Sequence, residues 1–308
     1  MNVAGLSLRD LEYVVAVAEE RHFGRAAERC NVSQPALSAQ IRKLEDSLGV
    51  SLFERTSRRV LSTASGEAVV RQARAVLAEA HKLLVIAGEG QTERFAGRLA
   101  LAAIQTLGPY LFPLVLRGLR ATFPDLHLNL SEGRTADIVE GLREGRIDAA
   151  LLSPPIDETG LMLAPLFVEP FVLACPAGHA LSKPARIDPA DLAGPDLLLL
   201  DEGNCLRDQA LEACAAGSRA GRHATSIETL TSMVAAGSGY TLLPWLAASD
   251  IRDPDGLVVC RPLRRPDQGR VIAMAWRSSD PRAASFTELA RFFRDNAPAG
   301  TTALAAQS

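Results

Sequence analysis

Residues 23–63 read "FGRAAERCNVSQPALSAQIRKLEDSLGVSLFERTSRRVLST". The first eight of them form a short helix, and "NVSQP" breaks it. Pro35 suits the first turn of the next helix, where a missing N–H costs nothing. That helix runs to about Leu48, with Leu37, Ile41, Leu44 and Leu48 on one face. Gly49 stops it. "VSLFER" and "RVLST" read as short strands joined by "TSR". Upstream, Ser7 followed three residues later by Asp10 opens another helix with a capping box. Leu8, Leu11, Val15 and Ala18 line one side of it. Helix, turn, helix and a two-stranded wing together predict a winged helix-turn-helix.

In such a motif the second helix enters the major groove and turns its solvent face to base edges. With residues 37, 41, 44 and 48 facing inward, Gln34, Ser38 and Arg42 lie outside, and Pro35 sits at the start of the same helix. Glutamine can pair with adenine and arginine with guanine. Arg55, Arg58 and Arg59 stand at the hairpin, within reach of phosphate or the minor groove. Residues 1–66 hold nine Lys/Arg and eight Asp/Glu, so any DNA signal is local. A small helical domain with a solvated charged face gives the same pattern and stays open at this point.

Outward from this segment, residues 67–92 are Ala-rich with apolar residues at three and four spacing. They predict a long helix whose stripe pairs with a second copy. From Arg98 the texture becomes α/β. "RLALAAI", "LHLNLSEG" and "DAALLS" read as strands, and "TLGPYLFPLVLRGLRATFP" and "TADIVEGLREGRI" as helices. This order predicts a parallel sheet with crossover helices. A second such set begins at "EPFVLACPAGHAL". Thr225 with Glu228 is expected to cap the helix that ends at Gly237. Near the carboxyl end "VIAMAWR" is a strand and "RAASFTELARFFRDN" a helix. The organisation expected is 1–66 DNA-binding domain, 67–93 linker helix and 94–308 two-lobed domain. Lobe I takes about 94–168 and 270–300, and lobe II about 169–269.

Composition adds bounds. Of 308 residues, 47% are apolar and 22% charged, and the net charge is −3. That excludes a globally basic protein. The amino terminus lacks a signal-peptide pattern, and no apolar run reaches the roughly 18 residues of a membrane span. A cytoplasmic protein without a membrane partner is expected. No phosphate loop, nucleophile elbow or metal spacing stands out, so neither cofactor nor metal is expected.

Five cysteines in such a compartment should be thiols unless a pair is a redox device. Cys30, Cys175 and Cys260 read as small buried hydrophobes. Cys205 and Cys214, in "DEGNCLRDQALEAC" (201–214), lie nine apart, too far for C-x-x-C. Asn204 is a favoured N-cap, which places Cys205 at a helix start with Arg207 close by; both features favour a thiolate. Two buried cysteines or a redox switch are both compatible with these residues.

The string "RAAE…VSQPALSxQIRKLEDxLGVxLFER" closely resembles the DNA-binding domain of LysR-type transcriptional regulators. The resemblance extends over nearly the whole chain. It implies an α/β effector domain of the two-lobed, type 2 periplasmic-binding-protein kind, and a non-enzymatic regulator. It also implies a double-stranded DNA operator, RNA polymerase as a partner, and a homotetramer assembled as a dimer of dimers through the long helix. Within that family "DEGNCLRDQALEAC", "TLGPYLFP" and "ATSIETLTSMVAAGSGYTLLP" resemble the OxyR-type peroxide-responsive branch, which activates oxidative-stress genes. This resemblance implies that hydrogen peroxide oxidises Cys205 to a sulfenic acid and that Cys214 resolves it as a disulfide. It further implies a peroxide pocket of Thr106, Thr135, Asn204, Arg207 and Asp208. The branch usually has histidine where Asn204 stands, which puts the rate in question, because asparagine does not titrate near neutral pH. The alternative is a LysR-type regulator of metabolic genes. A small organic anion would then bind Thr106, Thr135 and the helix start at Thr225.

Overall fold

The computed structural model describes residues 6–55, 60–88, 95–192, 196–214, 223–253, 255–264 and 269–305. The chain divides into two compact units: residues 1–91 with 144–146, and the remainder.

The first unit contains α1 (Leu8–Glu20), α2 (Phe23–Arg29), α3 (Gln34–Leu48), β1 (Phe53–Arg55), β2 (Val60–Ser62) and α4 (Ala64–Gly88). Ser7 and Asp10 form the expected capping box, and Gly49 ends α3 in the left-handed region at φ 72°. Leu37, Ile41 and Leu44 pack with Val14, Val17, Ala26 and Ala27 of the two preceding helices. The stripe on α1 begins at Leu11, which with Val15 packs on Ala73 of α4; Leu8, expected on the same face, is exposed. Leu48 and Ala18 are only partly buried, at the margin of the core. α4 begins three residues earlier than its periodicity suggests, because Thr63 Oγ1 accepts the Gly66 N–H at 2.9 Å. Gly66 passes so close to the Leu52 carbonyl that any Cβ would collide with it. The wing is fastened to α3 through Glu45, whose carboxylate accepts the N–H groups of Leu52 (2.7 Å) and Phe53 (3.2 Å).

The second unit opens with β3 (Gly97–Ile104), α5 (Gly108–Thr122), β4 (Leu126–Gly133), α6 (Thr135–Arg143) and β5 (Ala149–Leu152). β3 pairs in parallel with both β4 and β5. A strand expected to begin at Glu169 is instead the second half of β6 (Leu161–Pro176). Pro165, Glu169 and Pro170 interrupt its apolar pattern and hide its length. β7 (Leu199–Leu200), α7 (Cys205–Ala213), β8 (His223–Ala224), α8 (Ile227–Ala235), β9 (Thr241–Pro244), α9 (Trp245–Ser249) and β10 (Val258–Pro262) follow. The chain ends with β11 (Gly269–Arg277), α10 (Ala283–Asp295) and β12 (Thr302–Ala303). The sheet is mixed, because β11 runs antiparallel to both β5 and β6. The cap of α8 is Ser226, one residue beyond the expected Thr225; its hydroxyl accepts the Thr229 N–H at 3.2 Å.

Among the described residues this unit has two hydrophobic cores, one for each lobe. Leu99, Leu101, Leu151, Phe167, Phe286 and Phe293 belong to the first, and Leu173, Leu199, Leu206, Leu230 and Leu243 to the second. β6 contributes Leu166 and Phe167 to the first and Phe171–Cys175 to the second. β11 lies beside β6 where it passes between the cores, with Arg270 opposite Glu169. Gly269 lets the strands approach there, since a Cβ would strike the Glu169 carbonyl oxygen.

Candidate functional site

Cys205 is the first residue of α7, and Cys214 is its C-cap. The Asn204 side-chain oxygen accepts the Leu206 N–H at 3.2 Å and so caps the helix, as its residue type predicts. Cys205 therefore stands at the positive end of a helix dipole. All five cysteines are free thiols. Leu206, Ala210 and Cys214 recur at four-residue spacing and are buried in the second core. Cys205, partly buried, packs against the first core. Burial pushes the Cys214 thiol up to about 11, so it is protonated at neutral pH. Burial also raises Cys30, Cys175 and Cys260. Cys175 is fully buried, whereas Cys30 and Cys260, expected inside, are half-buried at the end of α2 and on β10.

A cavity of about 10 Å³ adjoins Cys205, lined by Thr106, Thr135, Asn204, Gly203 and Arg134 among others. That is close to the minimum for one water molecule. Two of the expected pocket residues, Thr106 and Thr135, thus meet Asn204 and Cys205 in one place. A wider hollow of about 670 Å³ joins Cys205, Thr135 and Asp208. Arg207 is directed elsewhere. Its guanidinium donates to the Leu200 carbonyl (3.1 Å) and to His223 Nδ1 (2.9 Å). The closeness of Arg207 expected from sequence adjacency does not become a contact with the sulfur, because residue i+2 of a helix projects from a different side.

Thr106 is held from behind by a buried ion pair that the sequence reading missed. Arg270 donates to Thr106 Oγ1 (2.7 Å), to its carbonyl (2.8 Å) and to Glu169 Oε2 (2.9 Å). Both charged side chains are 0% exposed. Glu169 also accepts the Leu246 N–H at 2.8 Å. With Arg270 donating to it, the Thr106 hydroxyl is left to donate its own proton. The sequence carried one signal for this pair, a charge of each sign inside an apolar strand.

A third cavity, about 210 Å³, runs from Thr106 and Asn204 to Thr225, Ser226 and Glu228, with Glu132 on its wall. Tyr110 donates to Glu228 at 2.9 Å. Burial raises Glu132, and the charge of Glu228 adds to that. Two carboxylates therefore share this space.

On the first unit, Gln34, Pro35 and Arg42 are exposed along α3 and Ser38 is half-buried. Arg55 ends β1; its side chain, with Arg58 and Arg59, lies outside the described residues. Among the described residues no helix is long and apolar enough to cross a membrane, and no group of three or more His, Cys, Asp or Glu is placed to hold a metal ion.

Residues 8–67 match the bacterial regulatory helix-turn-helix model of the lysR family, and residues 92–298 the LysR substrate binding domain. A hydrogen peroxide-inducible genes activator from Pectobacterium carotovorum subsp. carotovorum is 46% identical over 294 residues, covering 94% of this chain and 97% of that protein. The DNA-binding transcriptional dual regulator OxyR of Escherichia coli (strain K12) is 46% identical over 292 residues, 94% of this chain and 95% of its own. Full-length OxyR of Pseudomonas aeruginosa, solved as a cysteine-to-aspartate variant, superposes with a TM-score of 0.82 at 39% identity, over 98% of this chain and 99% of that one.

Proposed function

The chain belongs to the LysR family of bacterial transcriptional regulators, in its hydrogen-peroxide-responsive OxyR group, and we propose that it senses peroxide through Cys205 and Cys214. It is a redox-sensing LysR-type activator with a DNA-binding helix-turn-helix. The observation that carries the proposed sensor is the position of the two thiols at opposite ends of one helix, against two different cores.

The Cys205 thiolate attacks one peroxide oxygen. An S–O bond forms, the O–O bond breaks, and the leaving hydroxide takes a proton to become water. Thr106, fixed as a donor by Arg270, and Thr135 bind the peroxide, and the Asn204 amide N–H₂ supplies a second donor in place of a titrating group. Asp208 lines the entry side. Arg207 acts indirectly, by holding α7 against Leu200 and His223. Cys214 sulfur then attacks the sulfenic sulfur, forming S–S and releasing the oxygen as water.

On the DNA side, Gln34, Ser38 and Arg42 read bases, Pro35 sets the start of the reading helix, and Arg55, Arg58 and Arg59 grip the backbone. The segments 1–66, 67–93 and 94–308 act as reader, linker and sensor. The working form is a cytoplasmic homotetramer that engages RNA polymerase and has no enzymatic turnover. Exposed Leu8 and Val76 offer apolar surface for pairing between copies.

The alternative, an organic anion in the cleft, finds less support. Glu132 and Glu228 wall the cavity that includes Thr106 and Thr225, and either charge repels an anion. Mass analysis after one equivalent of peroxide, run beside peroxide-dependent DNA footprints, tests the reading. A footprint that changes with peroxide while both thiols stay reduced would overturn it.

A further inference from the structure

Gln209 stands four residues after Cys205 on α7, so the two side chains leave the helix on the same face. That face meets the first lobe. Cys205 packs against the first core, and the Gln209 amide nitrogen donates to Ser153 Oγ at 2.8 Å and to the Pro154 carbonyl at 3.4 Å. The orientation of the amide is forced. Ser153 is fully buried, and its hydroxyl proton goes to the Val271 carbonyl at 2.8 Å. Ser153 Oγ can therefore only accept, as can the Pro154 carbonyl. The amide nitrogen must face them, and the amide oxygen must face away. That oxygen, Gln209 Oε1, is buried and has no hydrogen-bond partner among the described residues.

Buried acceptors are rarely left unpaired, because desolvation without a donor is unfavourable. A donor that forms only during function would complete this one. Reduced Cys205 offers at most a weak S–H. Its sulfenic acid offers an O–H on an arm longer by one S–O bond. Side chains at i and i+4 have Cβ atoms about 5–6 Å apart, a gap that this arm and the glutamine amide together can span.

We propose that Gln209 Oε1 accepts the hydrogen bond of the Cys205 sulfenic acid and shelters that intermediate until Cys214 reaches it. This rests on the reading of Cys205 as the peroxide-reactive thiol. When Cys214 attacks, the S–O bond breaks and the hydroxyl departs as water. Oε1 then loses its partner again, which favours release of α7 from Ser153.

The test uses full-length protein carrying Cys214→Ser, so that the sulfenic acid accumulates. Gln209→Leu and Gln209→Met are made in that background. After one equivalent of peroxide, dimedone trapping gives the rate at which the sulfenic acid forms and its lifetime against over-oxidation to the sulfinic acid. Gln209→Leu should form it at the parental rate yet lose it about tenfold faster, the equivalent of about 1.4 kcal/mol for one hydrogen bond. Gln209→Met, which keeps the length of the side chain but offers only a weak acceptor, should shorten the lifetime as well. Equal lifetimes in the parent and Gln209→Leu overturn the proposal, and so does a parental lifetime in Gln209→Met. If Gln209→Leu does not fold, Gln209→Met decides alone. Failure of the parent itself to form any sulfenic acid overturns the peroxide reading first, and is told apart because it needs no change at Gln209.

Discussion

Cys205 and Cys214 face opposite sides of α7, Cys205 against the first core and Cys214 inside the second. Helix geometry dictates this. Nine residues at about 100° each turn through two and a half circles, and at about 1.5 Å each they rise about 13 Å. A disulfide needs Cα atoms within about 4.4–6.8 Å. No rotamer change closes that distance, so forming the proposed bond requires the helix to unwind and Cys214 to leave its core. With that bond, the spacing makes the pair a switch and not a staple.

Peroxide should therefore abolish amide protection across residues 204–214, where the reduced protein is helical. Cys214→Ser should still gain one oxygen at Cys205 and keep its protection, while Cys205→Ser should gain no oxygen at that position and keep its protection too. Hydrogen exchange with intact-mass analysis reads both. Unchanged protection in a protein whose disulfide is confirmed by mass would rule out the unwinding.

Asn204→His should speed oxidation of Cys205 without disturbing α7. Histidine can replace the cap, since His22 and His179 in this chain already cap helical turns through Nδ1. It would add a titrating group beside the cavity. Stopped-flow oxidation rates across pH 5.5–8 compare the two proteins. Identical profiles would show that residue 204 does not tune the thiol.

The Arg270–Glu169 pair joins the strands that run between the lobes and fixes the Thr106 hydroxyl. Arg270→Ala should cost about 3–5 kcal/mol, because it strands a buried carboxylate. Urea unfolding measures it. A loss under about 1 kcal/mol would mean that water reaches Glu169 and that the pair is not what holds Thr106.

Stability should fall at alkaline pH through Cys214. Its folded thiol titrates at about 11, against about 8.5 for an unfolded thiol. Below the unfolded value both states hold the proton, and the full stability is present. As pH rises the unfolded chain ionises first, so about 3 kcal/mol is lost by the folded value. Cys214→Ala under reducing conditions should flatten the pH 8.5–11 limb of the stability curve. The same slope in both proteins would assign it to other groups.

On DNA, Arg42→Ala or Gln34→Ala should reduce discrimination between sites by about 1–3 kcal/mol for each base left unread. Arg58→Ala and Arg59→Ala should instead weaken all sequences alike and lower the salt slope by about 0.9 for each phosphate released. Binding titrations at several salt concentrations separate the two classes. A wing substitution that leaves the slope intact would remove that arginine from the interface.

The sequence by itself determined the local elements of the reader and the helix around the thiols. Ser7, Pro35, Gly49 and Asn204 act on backbone groups within a few residues of themselves, so their caps and stops are legible without a fold. The cysteine spacing was legible for the same reason, since a helix converts separation directly into distance and angle. Only the tertiary structure decided what each end of that helix meets. It paired Arg270 with Glu169, 101 residues apart in the chain, and turned the Arg207 guanidinium to His223. It moved one cap from Thr225 to Ser226, extended β6 back to Leu161, and left Leu8 in solvent. Those outcomes depend on which surfaces come together across long stretches of chain, and on where a buried charge finds its partner. No periodicity within a short window encodes either.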